Sequence, residues 1–216
     1  MKIPPYALTL SVEPHAARRK ALLARHPEIK DRYGYDSWSV AIMLGAVSAQ
    51  LLLAFFVQMS FEATHGSLGW WLATIALTCL VGSVLSHWAS MFSHEATHNN
   101  TASTVEANKM WSMVSNIGQG LPSAMSFRKY HPRHHGNLGT YGTDADLPAD
   151  WEVGNLKPTR LIKGLWVMFL FLFWVARGVE RSTAPTRDEY VNLALIVGVN
   201  ALLVYTMDGW RWLICS

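Results

Sequence analysis

Nine histidines occur in these 216 residues, and five of them fall in two short stretches. "FSHEATHNN", residues 92–100, sets His94 and His98 four positions apart. On a helix they stand one turn apart on one face, where two imidazoles can share a metal ion. "YHPRHHGNLG", residues 130–139, sets His131, His134 and His135 in an HxxHH pattern. The first spacing is common by chance in a histidine-rich chain, the second far rarer, and both lie in one polar segment between apolar runs. Imidazoles suit a borderline transition ion such as iron, zinc or copper better than magnesium or calcium, which take oxygen. No Cys lies nearby, which argues against a thiolate zinc site. Glu95, Asp144 and Asp146 are near enough in sequence to be ligands themselves or to orient an imidazole through its second nitrogen. Each also has a plainer reading, Glu95 as a solvated helix-end carboxylate and "GTDADLP" as a turn whose Asp residues bond their own backbone. His87, seven residues before His94, falls nearly two turns deeper on the same face, as a ligand or as a group that fixes one. His15, His26 and His65 are isolated and read as solvated. No side chain is singled out as catalytic in its own right.

The elements that position these residues are membrane helices. Half of the residues are hydrophobic, 15% are charged and ten are Trp, too apolar for an ordinary soluble domain of this size. Asp36 and Glu62 enclose 25 residues without formal charge, and Glu62 and Glu95 enclose 32 more; each run exceeds the roughly 20 that cross a bilayer as helix. Their centres are Val40 to Gln58 and Leu68 to Leu85, and the short connector makes them a hairpin. The run from Gly164 to Ala176 has only 13 uncharged residues before Arg177, short for a crossing and suited to a re-entrant or interfacial helix. Tyr190 to Met207 is a better span. The expected architecture is therefore an all-α integral membrane protein, a helical hairpin plus one or two further membrane helices. Pro132 suits the first turn of a helix, with His131 at its cap. Asn99 and Asn100 suit a helix C-terminus.

Lys and Arg placement predicts orientation. The leader carries Arg18, Arg19, Lys20, Arg25, Lys30 and Arg32, the connector Phe61 to Ser67 carries none, and Lys109, Arg128, Lys129 and Arg133 follow the second span. The N-terminus and the histidine-bearing helices are thus both expected on the cytosolic side. Arg128 and Lys129 read as interface anchors, and Trp70, Trp71, Trp210 and Trp212 as an aromatic belt. The net charge of +3 rests on the leader, where "HAARRKALLARHPEIK" is either a basic helix on an anionic surface or a solvated one. Residues 1–37 read as a cytosolic basic segment and 38–216 as the membrane domain. Cys79 and Cys215 make no disulfide framework. No nucleic-acid motif or repeat is read, and the opening "MKIPPYALTLSVEPH" is not expected to act as a secretory signal, since it lacks a basic end followed by a compact apolar stretch.

"SHEATHNN" followed by "HPRHHGNLGTYGTDADLP" resembles the first two histidine boxes of the membrane fatty-acid desaturase and hydroxylase superfamily. "SFRKYHPRHHGNLGTYGTDADLP" and "EPHAARRKALLARHPEIKDRYGYD" are similar, more narrowly, to the sphingolipid 4-desaturase family. The resemblance implies two non-haem irons held by box histidines, here His94, His98, His131, His134 and His135, with His87 coinciding with a further family histidine. It implies an enzyme of the endoplasmic reticulum that desaturates dihydroceramide to ceramide at carbons 4 and 5, with electrons from NADH through cytochrome b5. A hydroxylase acting at carbon 4 would use the same boxes. The family also has a third HxxHH box, and no histidine follows His135 here. The di-iron centre is therefore expected to be incomplete and this chain alone inactive, with ceramide formation by the purified chain as the contrary result. A non-catalytic form pairing with a full-length desaturase, and self-association generally, fit the same residues.

Overall fold

The charge-free run after Asp36 folds as one long helix, because it holds no Pro and in an apolar setting the backbone groups must pair within the helix. A computed structural model describes residues 14–140, 144, 146–155, 159–180 and 183–207; Cys215, Trp210 and Trp212 lie outside them. The N-terminal helix α1 spans Pro14–Arg25, and the long helix α2 spans Trp38–Thr64. Buried Met43, Val47, Gln50, Ala54, Val57 and Gln58 recur at three- and four-residue intervals along α2, one stripe turned inward while the rest of the helix stays exposed. His65 and Gly66 then take left-handed backbone at φ 48° and 61°, which reverses the chain. Gly66 is needed for space as well: a Cβ there would stand 2.4 Å from the Phe61 ring, which packs edge-on against Trp70 at 5.0 Å.

The return helix runs from Leu68 to Thr97, with α3 at Leu68–Leu77, a wide π-helical turn at Thr78–Gly82, and α4 at Ser83–Thr97. Thirty residues make about 45 Å of helix, some 15 Å more than a hydrocarbon core. The helix is therefore long enough for the turns bearing His94 to extend beyond the hydrocarbon. Helix α5 spans Val105–Ser115, and after a 3-10 turn at Asn116–Gln119 helix α6 spans Ala124–Gly136. Within residues 137–182 lie α7 at Asp150–Asn155, α8 at Arg160–Met168 and α9 at Leu170–Glu180; α10, Arg187–Thr206, follows with a Thr186/Glu189 capping box. No strand occurs among the described residues. Helix α2, the Leu68–Thr97 helix and α10 are long and apolar enough to cross a membrane. The Gly164–Ala176 run is split at Phe169 into two short helices, neither long enough to cross.

The chain forms two compact units, residues 1–34 with 137–182 and residues 35–136 with 183–216. In the second of these, Met43, Val47, Phe92 and Ala96 form a core with Trp111, Val114 and Ile117 around it. Small polar side chains let α4 and α5 approach closely: Ser93 and Ser115 hydroxyls lie 2.7 Å apart. Asn116 joins three segments, its own 3-10 turn, α6 and α10. Its Oδ1 accepts from the Ala124 N–H at 2.7 Å and from Asn192 Nδ2 at 3.0 Å, while its Nδ2 donates to Gln119 Oε1 at 3.1 Å. Replacing Asn116 by Leu strands a buried N–H and a buried amide, and is expected to cost about 1–3 kcal/mol. The unfolding midpoint in detergent measures this; a change under about 0.5 kcal/mol, as at surface positions, would contradict the joining role.

The start of α6 differs from the sequence expectation. Pro132 lies inside the helix rather than at its first turn, because the Ala124 N–H capped by Asn116 and the Phe127 N–H donating to Ser123 O at 2.8 Å begin the helix eight residues earlier. In the other unit, the Arg177 guanidinium is buried on Glu152: Nη2 donates to Glu152 Oε2 at 2.9 Å and Nη1 to the Asp146 carbonyl at 2.9 Å. Trp166 Nε1 donates to the same carboxylate at 3.1 Å.

Candidate metal centre

Helix α4 ends at the site. His98 is its C-cap residue and Asn99 follows at φ 62°, a left-handed turn that Asn tolerates better than most residues. The exposed carbonyls of that end attract a cation, and Arg128 of α6 supplies one. Its Nη1 donates to Ala96 O and its Nη2 to Asn99 Oδ1, each at 2.6 Å. Arg128 thereby docks α6 on the end of α4, a more specific role than that of an interface anchor. Lys129 Nζ lies 3.1 Å from Glu189, and Ser126 donates to Glu189 at 2.9 Å, which ties the same helix to the start of α10.

With α6 so held, the two histidine stretches meet. His98 Nε2 stands 3.1 Å from His131 Nε2, and His135 Nε2 stands 3.0 Å from that same nitrogen. The His94 ring lies 4.5 Å from that of His131 and 4.8 Å from that of His98, centre to centre. One nitrogen from each of His94, His98, His131 and His135 falls within 4.8 Å of the others. Imidazoles bound to one metal at about 2.1 Å set neighbouring nitrogens about 3.0–3.4 Å apart for octahedral to tetrahedral angles. The donor set fits a transition ion on those distances. Burial, followed by the neighbouring His94, His135, His98 and His134, pushes His131 down to about 4, so it is the neutral imidazole that ligation needs at neutral pH.

Partners fix the rings. Glu95 Oε1 lies 2.9 Å from His94 Nδ1, and Glu95 Oε2 accepts from Asn100 at 2.9 Å. Phe127 stacks on His131 at 4.5 Å with an 18° tilt. His134 stands outside the group of four, its ring 5.9 Å from that of His131. His87 lies on an exposed face of α4, also outside that group. Asp144 accepts from the N–H groups of Gly139 at 2.8 Å and Asp146 at 2.9 Å. Asp146 accepts from Trp174 Nε1 at 3.3 Å. Three contributors were not legible beforehand: Phe127, Asn116, and Arg128 as the docking group. A cation three residues before an HxxHH and facing a helix C-terminus was the available signal for Arg128.

The fatty acid desaturase family model matches residues 68–216, and the sphingolipid Delta4-desaturase model matches residues 6–38. The sphingolipid delta(4)-desaturase of Xenopus tropicalis is 36% identical over 203 residues, which cover 91% of this chain and 59% of the relative. That of Drosophila melanogaster is 33% identical over 202 residues, 92% of this chain and 60% of its own length. A delta(4)-desaturase-like protein of Oryza sativa subsp. japonica is 32% identical over 200 residues, again 92% of this chain and 58% of its own. The chain thus spans less than two thirds of the relatives it matches. No solved structure matches it.

Proposed function

The chain belongs to the fatty acid desaturase family, and on that premise we propose that its histidine cluster is part of the non-haem iron centre of a sphingolipid 4-desaturase. The observation that carries this reading is the convergence of His94, His98, His131 and His135 at the end of a membrane-length helix. Bound iron supplies the dioxygen chemistry that an unactivated C–H bond requires, since carbons 4 and 5 of the sphingoid base offer no acidic proton to a general base. This chain's own residues hold and orient. The four imidazoles provide nitrogen donors, Glu95 fixes the His94 ring, and Arg128 keeps α6 against α4. The long helices let a lipid chain reach the cluster laterally from the bilayer. Overall, the lipid loses one hydrogen from each carbon, and two electrons and two protons from a donor complete the reduction of dioxygen to two waters. Cytochrome b5 fed by NADH fits that donor role at the cytosolic face of the endoplasmic reticulum, the orientation to which the Lys and Arg distribution points. The names of the relatives favour desaturation over hydroxylation at carbon 4.

A chimera in which this chain replaces the matching part of the Xenopus relative tests the reading. Cells expressing it receive dihydroceramide deuterated at carbons 4 and 5, and the lipid is analysed by mass spectrometry. The expected product is ceramide lacking one deuterium at each carbon, absent when His131 is replaced by Ala. A carbon-4 hydroxylated product, or conversion unaffected by His131→Ala, would contradict it.

A further inference from the structure

The basic leader holds a cleft that the metal centre does not use. Pro27 cannot continue α1, and the chain turns back there as a 3-10 helix at Pro27–Arg32, held by the His26 N–H on Leu22 O at 2.8 Å. The angle between the two short helices borders an open cleft of about 470 Å³, lined by Arg19, Lys20, Leu23, Ala24 and Lys30. Arg19 with Leu23, and Lys20 with Ala24, are pairs four residues apart and so share one face of α1, while Lys30 comes from the facing element. Three cations thus meet around an apolar floor with no carboxylate in the lining. Of the acids nearby, Glu28 lies 3.1 Å from His26 Nδ1 and Asp36 accepts from the Trp38 N–H at 3.0 Å, while Asp31, next to Lys30, lies outside the lining. Among the described residues none of the three cations forms an ion pair.

We propose that this cleft binds the phosphate-bearing headgroup of an anionic phospholipid, with Arg19, Lys20 and Lys30 on the phosphate and Leu23 and Ala24 against the first apolar atoms of the lipid. A soluble anion would use the cations alone; the floor matches a molecule that is part charge, part hydrocarbon. The sequence tethers the cleft to the bilayer, because Lys30 precedes Trp38, the first residue of α2, by eight residues, at most about 28 Å of extended chain. Exposed Tyr33, Tyr35 and Trp38 fill that tether with the aromatic types that settle at membrane interfaces. The proposal involves no residue of the histidine cluster, so it stands or falls independently of the desaturase reading.

Each basic side chain at an anionic surface is worth about fivefold in affinity, so removing three lowers binding roughly a hundredfold. The test uses the full chain in neutral detergent, with dioctanoyl phosphatidic acid as probe and native mass spectrometry as readout. One bound lipid is expected. The triple variant Arg19→Gln, Lys20→Gln, Lys30→Gln should weaken it about a hundredfold, while Arg18→Gln, Arg25→Gln, Arg32→Gln, which removes equal charge outside the cleft, changes it only a few-fold. A benzophenone-bearing phosphatidic acid should also cross-link to the 19–30 peptide of the unaltered chain, a measurement that no variant's folding can disturb. Equal loss in both triple variants, displacement of the lipid by equimolar inorganic phosphate, or cross-links only elsewhere would overturn the proposal.

Discussion

Replacing His131 with Ala is expected to lower iron affinity of the purified chain more than about a hundredfold, beyond the 10- to 100-fold typical of losing a group that merely orients a ligand. The reason is its central place. His98 and His135 both aim Nε2 at His131 Nε2, at 3.1 and 3.0 Å, and the His94 ring lies 4.5 Å away, so no other single removal opens the set as widely. His98→Ala should follow closely. His87→Ala should leave loading unchanged, since that side chain sits on an exposed face of α4. Equilibrium dialysis with iron, followed by elemental analysis, separates these outcomes; equal losses in the His87 and His131 variants would point to non-specific binding.

Arg177→Met is expected to cost about 3–5 kcal/mol, the penalty for leaving one partner of a buried ion pair uncompensated. Arg177 and Glu152 are 3% and 2% exposed. Combining Arg177→Met with Glu152→Gln, which removes both charges together, should restore much of the loss. Burial alone would raise the Glu152 carboxyl, but Arg177, the Ala149 N–H and the Trp166 N–H outweigh it and hold the group below its usual range. A carboxyl depressed on folding contributes stability that is fully present above its unfolded value of about 4.3 and is lost as the pH falls through the lower folded value. The unaltered chain should therefore lose stability below about pH 4.3 more steeply than Glu152→Gln. Hydrogen exchange of α9 across that range follows this pair in particular; identical profiles would rule out the linkage.

The all-α membrane architecture was legible because apolar runs of 25 and 32 residues admit almost no other structure in a bilayer. The histidines were legible because their spacing repeats a helical turn. What the sequence hid were contacts between segments far apart in the chain. Arg128 read as an interface anchor, whereas its guanidinium sits on the carbonyl end of α4, 32 residues earlier. Arg177 read only as the charged limit of the run from Gly164 to Ala176, whereas it is buried on Glu152 and the run breaks at Phe169. Nothing in the sequence singles out Asn116, and only its contacts with α6 and α10 reveal a junction. Pro132 misled for a local reason: proline favours a first turn, but a helix already nucleated from Ala124 carries it in its interior.

X-ray absorption at the iron K-edge of the purified, iron-loaded chain tests the central claim most directly. The expected spectrum has nitrogen or oxygen neighbours near about 2.1 Å with the multiple-scattering pattern of several imidazoles, and loses that pattern in the His98→Ala, His131→Ala double variant. Iron bound without imidazole scattering, or a spectrum unchanged by the double variant, would contradict a metal centre built from these histidines.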